Sequence, residues 1–230
     1  MMRSSDIIAA LRELESPKDR AGMARFGINV DNALGISVNT LRRLAKDIGR
    51  DHELALALWQ SGIHEARILA SIVADPGLFK TKHARAWVKD FNSWDLCDQC
   101  CQNLFWQIEG AQGLALSWIT SRQEFTKRAG FTILAVLAFK SKALTTEEIA
   151  GFLPIIETAA ADERNFVKKA VNWALRQIGK RNLALNRQAI ACAKRLLTRD
   201  EKSARWIARD ALRELTSDKV QQRLRSRPGR

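Results

Sequence analysis

Four stretches set far apart in the chain share one arrangement. Glu65-Ala66-Arg67-Ile68-Leu69-Ala70, Thr126-Lys127-Arg128-Ala129-Gly130-Phe131, Val167-Lys168-Lys169-Ala170-Val171-Asn172 and Ser203-Ala204-Arg205-Trp206-Ile207-Ala208 each place a basic residue near the start of a segment that then turns apolar with helical spacing. The basic positions Arg67, Arg128, Lys169 and Arg205 lie 61, 41 and 36 residues apart, and Asp98 falls about midway across the longest gap. A recurrence of roughly 30 to 40 residues is the length of a two-helix solenoid unit of the HEAT or armadillo type. One such unit cannot bury its apolar face alone, so the units must stack. No stretch alternates apolar and polar residues with period two. The expected fold is therefore all-α, a HEAT-like helical-repeat solenoid with a concave basic groove. Arg67, Arg128, Lys169 and Arg205 would form a stripe in that groove, and Asp98 would interrupt it.

Periodicity and capping residues predict the helices in turn: Ile7 to Leu14, Asp19 to Phe26, a helix from Val38 capped by Ser37, Glu53 to Trp59, His64 to Ala74, Thr81 to Lys89 and Trp94 to Ile108. Then come Glu124 to Lys140, Thr146 to Ala159, Glu163 to Gly179 with Asp162 as its cap, Leu185 to Leu197, and Lys202 to Leu215. Residues 27–35 read as a loop. Residues 1–216 are expected to form a single repeat domain, and 217–230 a basic, flexible tail.

The chain has 230 residues, 46% of them apolar, enough to bury a core. Its formal net charge of +13 exceeds what solubility needs and favours a polyanionic partner, nucleic acid before an anionic membrane. No apolar run approaches the roughly 18 to 20 residues of a membrane span, and the first residues do not read as a signal peptide, so a monomer in the cytoplasm with no membrane partner is expected. Cys97, Cys100 and Cys101 are too close together for a long-range cross-link, and no His lies at ligand spacing. They read as small buried side chains, and neither a metal nor another cofactor is expected.

Two constellations point to chemistry. In a helix that begins after Ser93, Trp94 and Asp98 are four residues apart and share a face, an indole beside a carboxylate in a cationic protein. Phosphate binding alone would favour another cation at position 98, so Asp98 asks for a separate reason. The alternative is a structural ion pair. In the helix after Asp162, Phe166, Ala170, Ala174 and Ile178 form an inward stripe, while Lys169, Trp173, Arg176 and Lys180 fall along another, an aromatic flanked by cations. Taken alone, Trp173 reads as readily as core. Trp59, Trp87, Trp106, Trp118 and Trp206 are expected in the core. There is no glycine-rich phosphate loop, zinc-deaminase signature or paired Cys/His finger.

Three stretches, Asn92 to Asp98, Phe125 to Phe131 and Arg164 to Arg176, resemble the AlkD family of DNA alkylation repair enzymes, the HEAT-like-repeat DNA glycosylases, and the likeness runs from about Ala24 to Leu215. The resemblance implies an active site of Trp94, Asp98, Arg128 and Trp173, with Arg67, Lys127, Lys168, Lys169, Arg176, Lys180 and Arg205 on DNA. Many members carry a second tryptophan where this chain has Ser93, and a tyrosine near the N-terminus; this chain has no tyrosine, and Phe26 is the candidate for that contact.

That resemblance implies that the chain would excise N3- and N7-alkylated purines from double-stranded DNA without flipping the lesion into a pocket. Asp98 would stabilise the oxocarbenium-like sugar and orient water, both tryptophans would hold the deoxyribose, and Arg128 would clamp a phosphate. The competing expectation is a catalytically silent HEAT-like scaffold that binds DNA, structured RNA or a protein partner through the same basic surface.

Overall fold

The computed structural model describes residues 3–226, and these contain helices and no strand. The chain divides into two compact units, Met1–Ala111 and Gln112–Arg230. The first contains α1 (Ser4–Glu13), α2 (Pro17–Ala24), α3 (Val38–Ile48), α4 (His52–Gln60), α5 (His64–Val73), α6 (Thr81–Trp87) and α7 (Trp94–Asn103). Next comes α8 (Ala111–Trp118), then α9 (Glu124–Lys140), α10 (Thr146–Ala150), α11 (Leu153–Ala159), α12 (Asn165–Gly179), α13 (Leu183–Leu197), α14 (Lys202–Leu215) and α15 (Asp218–Arg225).

Repetition is written into the hydrogen bonds. In the first unit, Trp59 to Asp90, His64 to Asp95 and the backbone of Leu34 to Glu65 each join residues 31 apart. In the second, Arg128 to Phe166, Asn172 to Asp210 and Arg176 to Glu214 each join residues 38 apart. Polar side chains thus reach from one helix pair to the next at a fixed interval, as stacked repeats require. The first unit packs α5 against α3, α4 and α7; its core includes Trp59 and Trp87 stacked at 3.8 Å, with Phe79 edge-on to Trp87. The second unit is built on α9, buried almost throughout from Arg128 to Ala138 and packed along α12, with α13 and α14 beyond. Gly179 permits this closeness: a Cβ there would lie 2.7 Å from Leu215 Cδ1 and 2.9 Å from Ala189 Cβ.

Five expectations need correction. The segment 146–159 is two helices, because Pro154, near the start of α11, has no amide hydrogen to bond back to Ala150 and its ring crowds that carbonyl. α12 starts at Asn165 with Arg164 at the cap position, since the Asp162 carboxylate is drawn to the Arg164 guanidinium. α7 stops at Asn103 and a 3₁₀ turn covers Phe105–Gln107. α8 was not expected, because Ala111–Trp118 has no charged residue and so shows no polar face. Finally, 218–225 is not flexible tail but helix α15, with Val220 and Leu224 buried; residues 227–230 lie outside the described residues.

Candidate functional site

The first unit carries Trp94 and Asp98. Ser93 precedes α7 in extended conformation, and its hydroxyl does not cap the helix but donates to Asp95 Oδ1 at 2.8 Å. The other Asp95 oxygen accepts from His64 Nε2–H at 2.8 Å, with both side chains sheltered from solvent. Burial pushes the Asp95 pKa up, but hydrogen bonds from His64, Ser93 and the Leu96 amide outweigh it and leave the group below its ordinary value. The first turn of α7 is thereby fixed to α5. Leu96, Cys97, Cys100 and Cys101 sink the helix into the core, and burial pushes the Cys100 and Cys101 thiols well up.

Asp98 follows one turn after Trp94 and is only 9% exposed. Trp94 is half-buried, and its Nε1–H donates to the Phe26 carbonyl at 3.0 Å. Phe26 itself is 73% exposed, at the end of the turn after α2, followed by Gly27 with φ +72°. The residue considered in place of a tyrosine thus acts through its backbone to hold the indole, and its ring faces solvent.

The second unit carries Arg128 and Trp173 on the packed pair α9 and α12. Arg128 is 5% exposed and its Nη1–H donates to the Phe166 carbonyl at 2.6 Å, in the first turn of α12. Trp173 is half-buried two turns further on, next to Asn172, whose amide donates to Asp210 on α14 at 2.7 Å.

The cations expected on DNA fall into distinct groups. Arg67 pairs with Asp90 at 3.2 Å and lies 5.1 Å from the Trp59 ring centroid, so much of it is spent inside the first unit. Lys127 pairs with Asp162 at 2.9 Å; the Arg164 guanidinium, then Lys127, hold that carboxyl well below its usual range. Arg176 bonds to both Asp210 and Glu214, and Lys180 to Glu214 at 2.8 Å. The stripe drawn along α12 is therefore largely neutralised by α14. Arg205 donates to the Arg199 and Asp200 carbonyls at 2.9 and 2.7 Å, closing the end of α13. Lys169 is exposed, and Lys168 sits 5.2 Å above the Trp206 ring.

Trp206 corrects the expectation of a core residue. It is 39% exposed, and Lys202, Trp206, Arg209 and Arg213 form an exposed stripe along α14 at spacings of four, three and four. That spacing is visible in the sequence and marks Trp206 apart from the buried tryptophans. Trp59, Trp87 and Trp118 are buried as expected.

Residues 7–215 match the family described as DNA alkylation repair enzyme. The chain belongs to that family. A solved structure from "a new family of proteins related to the HEAT-like repeat DNA glycosylases with affinity for branched DNA structures" superposes with a TM-score of 0.78 at 22% identity, covering 93% of this chain and 95% of that one. At this identity the likeness shows the HEAT-like repeat fold. An engineered protein aligns at a TM-score of 0.42 and 14% identity over 71% of this chain and 80% of its own, too weak to carry an argument. No curated protein matches. As a DNA alkylation repair family member, the chain contains no group of three or more His, Cys, Asp and Glu among the described residues disposed to hold a metal ion.

Proposed function

We propose that the protein is a monofunctional DNA glycosylase that hydrolyses the N-glycosidic bond of cationic N3- and N7-alkylated purines in duplex DNA without extruding the lesion. The observation that carries this reading is Asp98: a carboxylate held 9% exposed, one helical turn from an indole that is itself positioned by the Phe26 carbonyl. Membership of the DNA alkylation repair family supports it.

The chemistry follows from charge. An alkylated purine is a cationic leaving group, so the C1′–N bond breaks with its electron pair going to the base, which leaves neutral. Positive charge appears on the deoxyribose as an oxocarbenium ion, and a preorganised anion beside it lowers that barrier. Asp98 supplies the anion and takes a proton from the water that adds to C1′. Trp94, one turn from Asp98, lays its π face against the sugar, an attraction that grows with its charge. Arg128 holds a backbone phosphate, and the exposed cations Lys169, Lys202 and Arg209 add sequence-independent affinity.

A second reading is a branched-DNA binder with no glycosylase activity, favoured by the affinity described for the protein of similar fold. Incubation with N-methylated duplex DNA, followed by chromatography of free base, separates the two. The glycosylase releases 7-methylguanine, and Asp98→Asn loses that release while binding DNA at least as well. Junction binding with no base release by the unaltered protein selects the second reading. Normal turnover by Asp98→Asn would overturn the role of Asp98.

A further inference from the structure

At the far end of α9 from Arg128 lies a cleft of about 730 Å³. Phe139, Lys140, Lys142, Lys180, Arg181 and Arg223 line it, with no carboxylate in its wall. Twelve residues separate Arg128 from Lys140, so along the helix the cleft stands about 18 Å from the candidate site residue.

Part of this charge is structural. Arg181 donates to the Ala138 and Leu144 carbonyls at 3.0 and 3.2 Å, and Lys180 is paired with Glu214. Those bonds brace the wall. Lys142 and Arg223 are exposed, on the loop after α9 and on α15, Arg223 making only a long 3.5 Å bond to the Lys180 carbonyl, and Phe139 beside them is 64% exposed. An exposed aromatic ring flanked by cations from two separate segments suits a nucleic-acid strand, with phosphates at the cations and a base or sugar on the ring. A small anion would call for donors converging on one point. Among the described residues, no buried side-chain polar atom without a partner lies in this wall to fix one.

We propose that this cleft binds a second segment of DNA backbone, so that the protein holds two arms of a branched substrate at once. The inference rests on the reading of the chain as a DNA-binding repair protein, and assigns a place in the fold to the contact with a second arm. None of the residues proposed for base release takes part.

The test compares Lys142→Gln/Arg223→Gln and Phe139→Ala with the unaltered protein by fluorescence anisotropy. The probes are a plain duplex and a four-way junction with the same arm sequences, across a salt series. The expected result is about a tenfold loss of junction affinity in the double variant, with its log–log salt slope reduced by about two, while duplex affinity stays within twofold. Phe139→Ala should lose junction affinity without a change in slope. Equal losses on duplex and junction would overturn the inference, since the cleft would then extend a single duplex track. Unchanged junction binding would overturn it as well. Failure of the unaltered protein to bind either DNA would instead strike the proposed function, and thermal unfolding of each variant separates a lost contact from a lost fold.

Discussion

His64 and Asp95, 31 residues apart in sequence, meet at 2.8 Å with the imidazole 4% and the carboxylate 13% exposed. The bond fixes α7 three residues before Asp98. Because Asp95 is held below its ordinary pKa, its contribution to stability is present above the unfolded value of about 3.9 and is lost as pH falls through the lower folded value. Urea unfolding between pH 7 and pH 2.5 should show a steep acid loss. Asp95→Asn should flatten part of that loss and cost about 2 kcal/mol at pH 7. An acid limb that does not change with the substitution would refute this role.

Arg128 is a structural tie as well as a candidate phosphate contact. Removal of its bond to the Phe166 carbonyl takes a tie out of the α9–α12 seam and leaves a hole where a buried side chain stood. Arg128→Ala should therefore lower stability by about 3 kcal/mol and reduce the salt slope of duplex binding by about one. Arg128→Lys keeps the charge and should restore the slope but not the stability, because an ammonium lacks the planar fork. Calorimetry and a salt titration on the same preparations read both effects.

Glu65 makes the densest polar anchor in the first unit. Its fully buried carboxylate accepts from the amides of Leu34, Gly35 and Ile36 at 2.8, 2.7 and 3.2 Å. Gly35 there has φ +83°, and a Cβ would collide with the Ser16 carbonyl. Glu65→Ala strands three donors and should cost about 3 kcal/mol or more, whereas Glu65→Gln keeps an acceptor and should cost less. Hydrogen exchange should show the amides of 34–36 losing protection first in the alanine variant.

Trp206 offers a cleaner test of DNA contact, since it is not packed in the core. Trp206→Ala should leave the melting temperature within about 2 °C and weaken duplex binding by about 1 kcal/mol, from loss of the aromatic face that Lys168 already polarises. Unaltered affinity in a filter-binding or anisotropy assay would remove the α14 stripe from the DNA surface.

The helices were legible where a polar face was present. The span of α9, Glu124–Lys140, follows directly from its spacing, and Ser37 caps α3 as expected through the Thr40 amide at 3.2 Å. α8 is not legible because it carries no charge, nor is the break at Gly151, because helical spacing continues across it. Partners were the least legible quantity. Nothing local to Arg176 and Lys180 announces that Asp210 and Glu214, 34 to 38 residues later, take up their charge, and nothing local to Asp95 announces His64. A repeat protein places such partners one period away, so opposite charges about 31 or 38 residues apart are the signal that the sequence holds for them.

The hydrogen bond from Trp94 to the Phe26 carbonyl also has an entropic side. An indole on a helix surface ordinarily samples several rotamers, and a ligand that needs one of them must bear the cost of freezing it. Here the turn after α2 has selected the rotamer in advance, and Gly27, at φ +72°, lets the chain fold back immediately after the carbonyl that does so. A residue with a side chain at position 27 would strain that positive φ, and a turn that relaxes away from it returns to Trp94 the freedom that the turn removes.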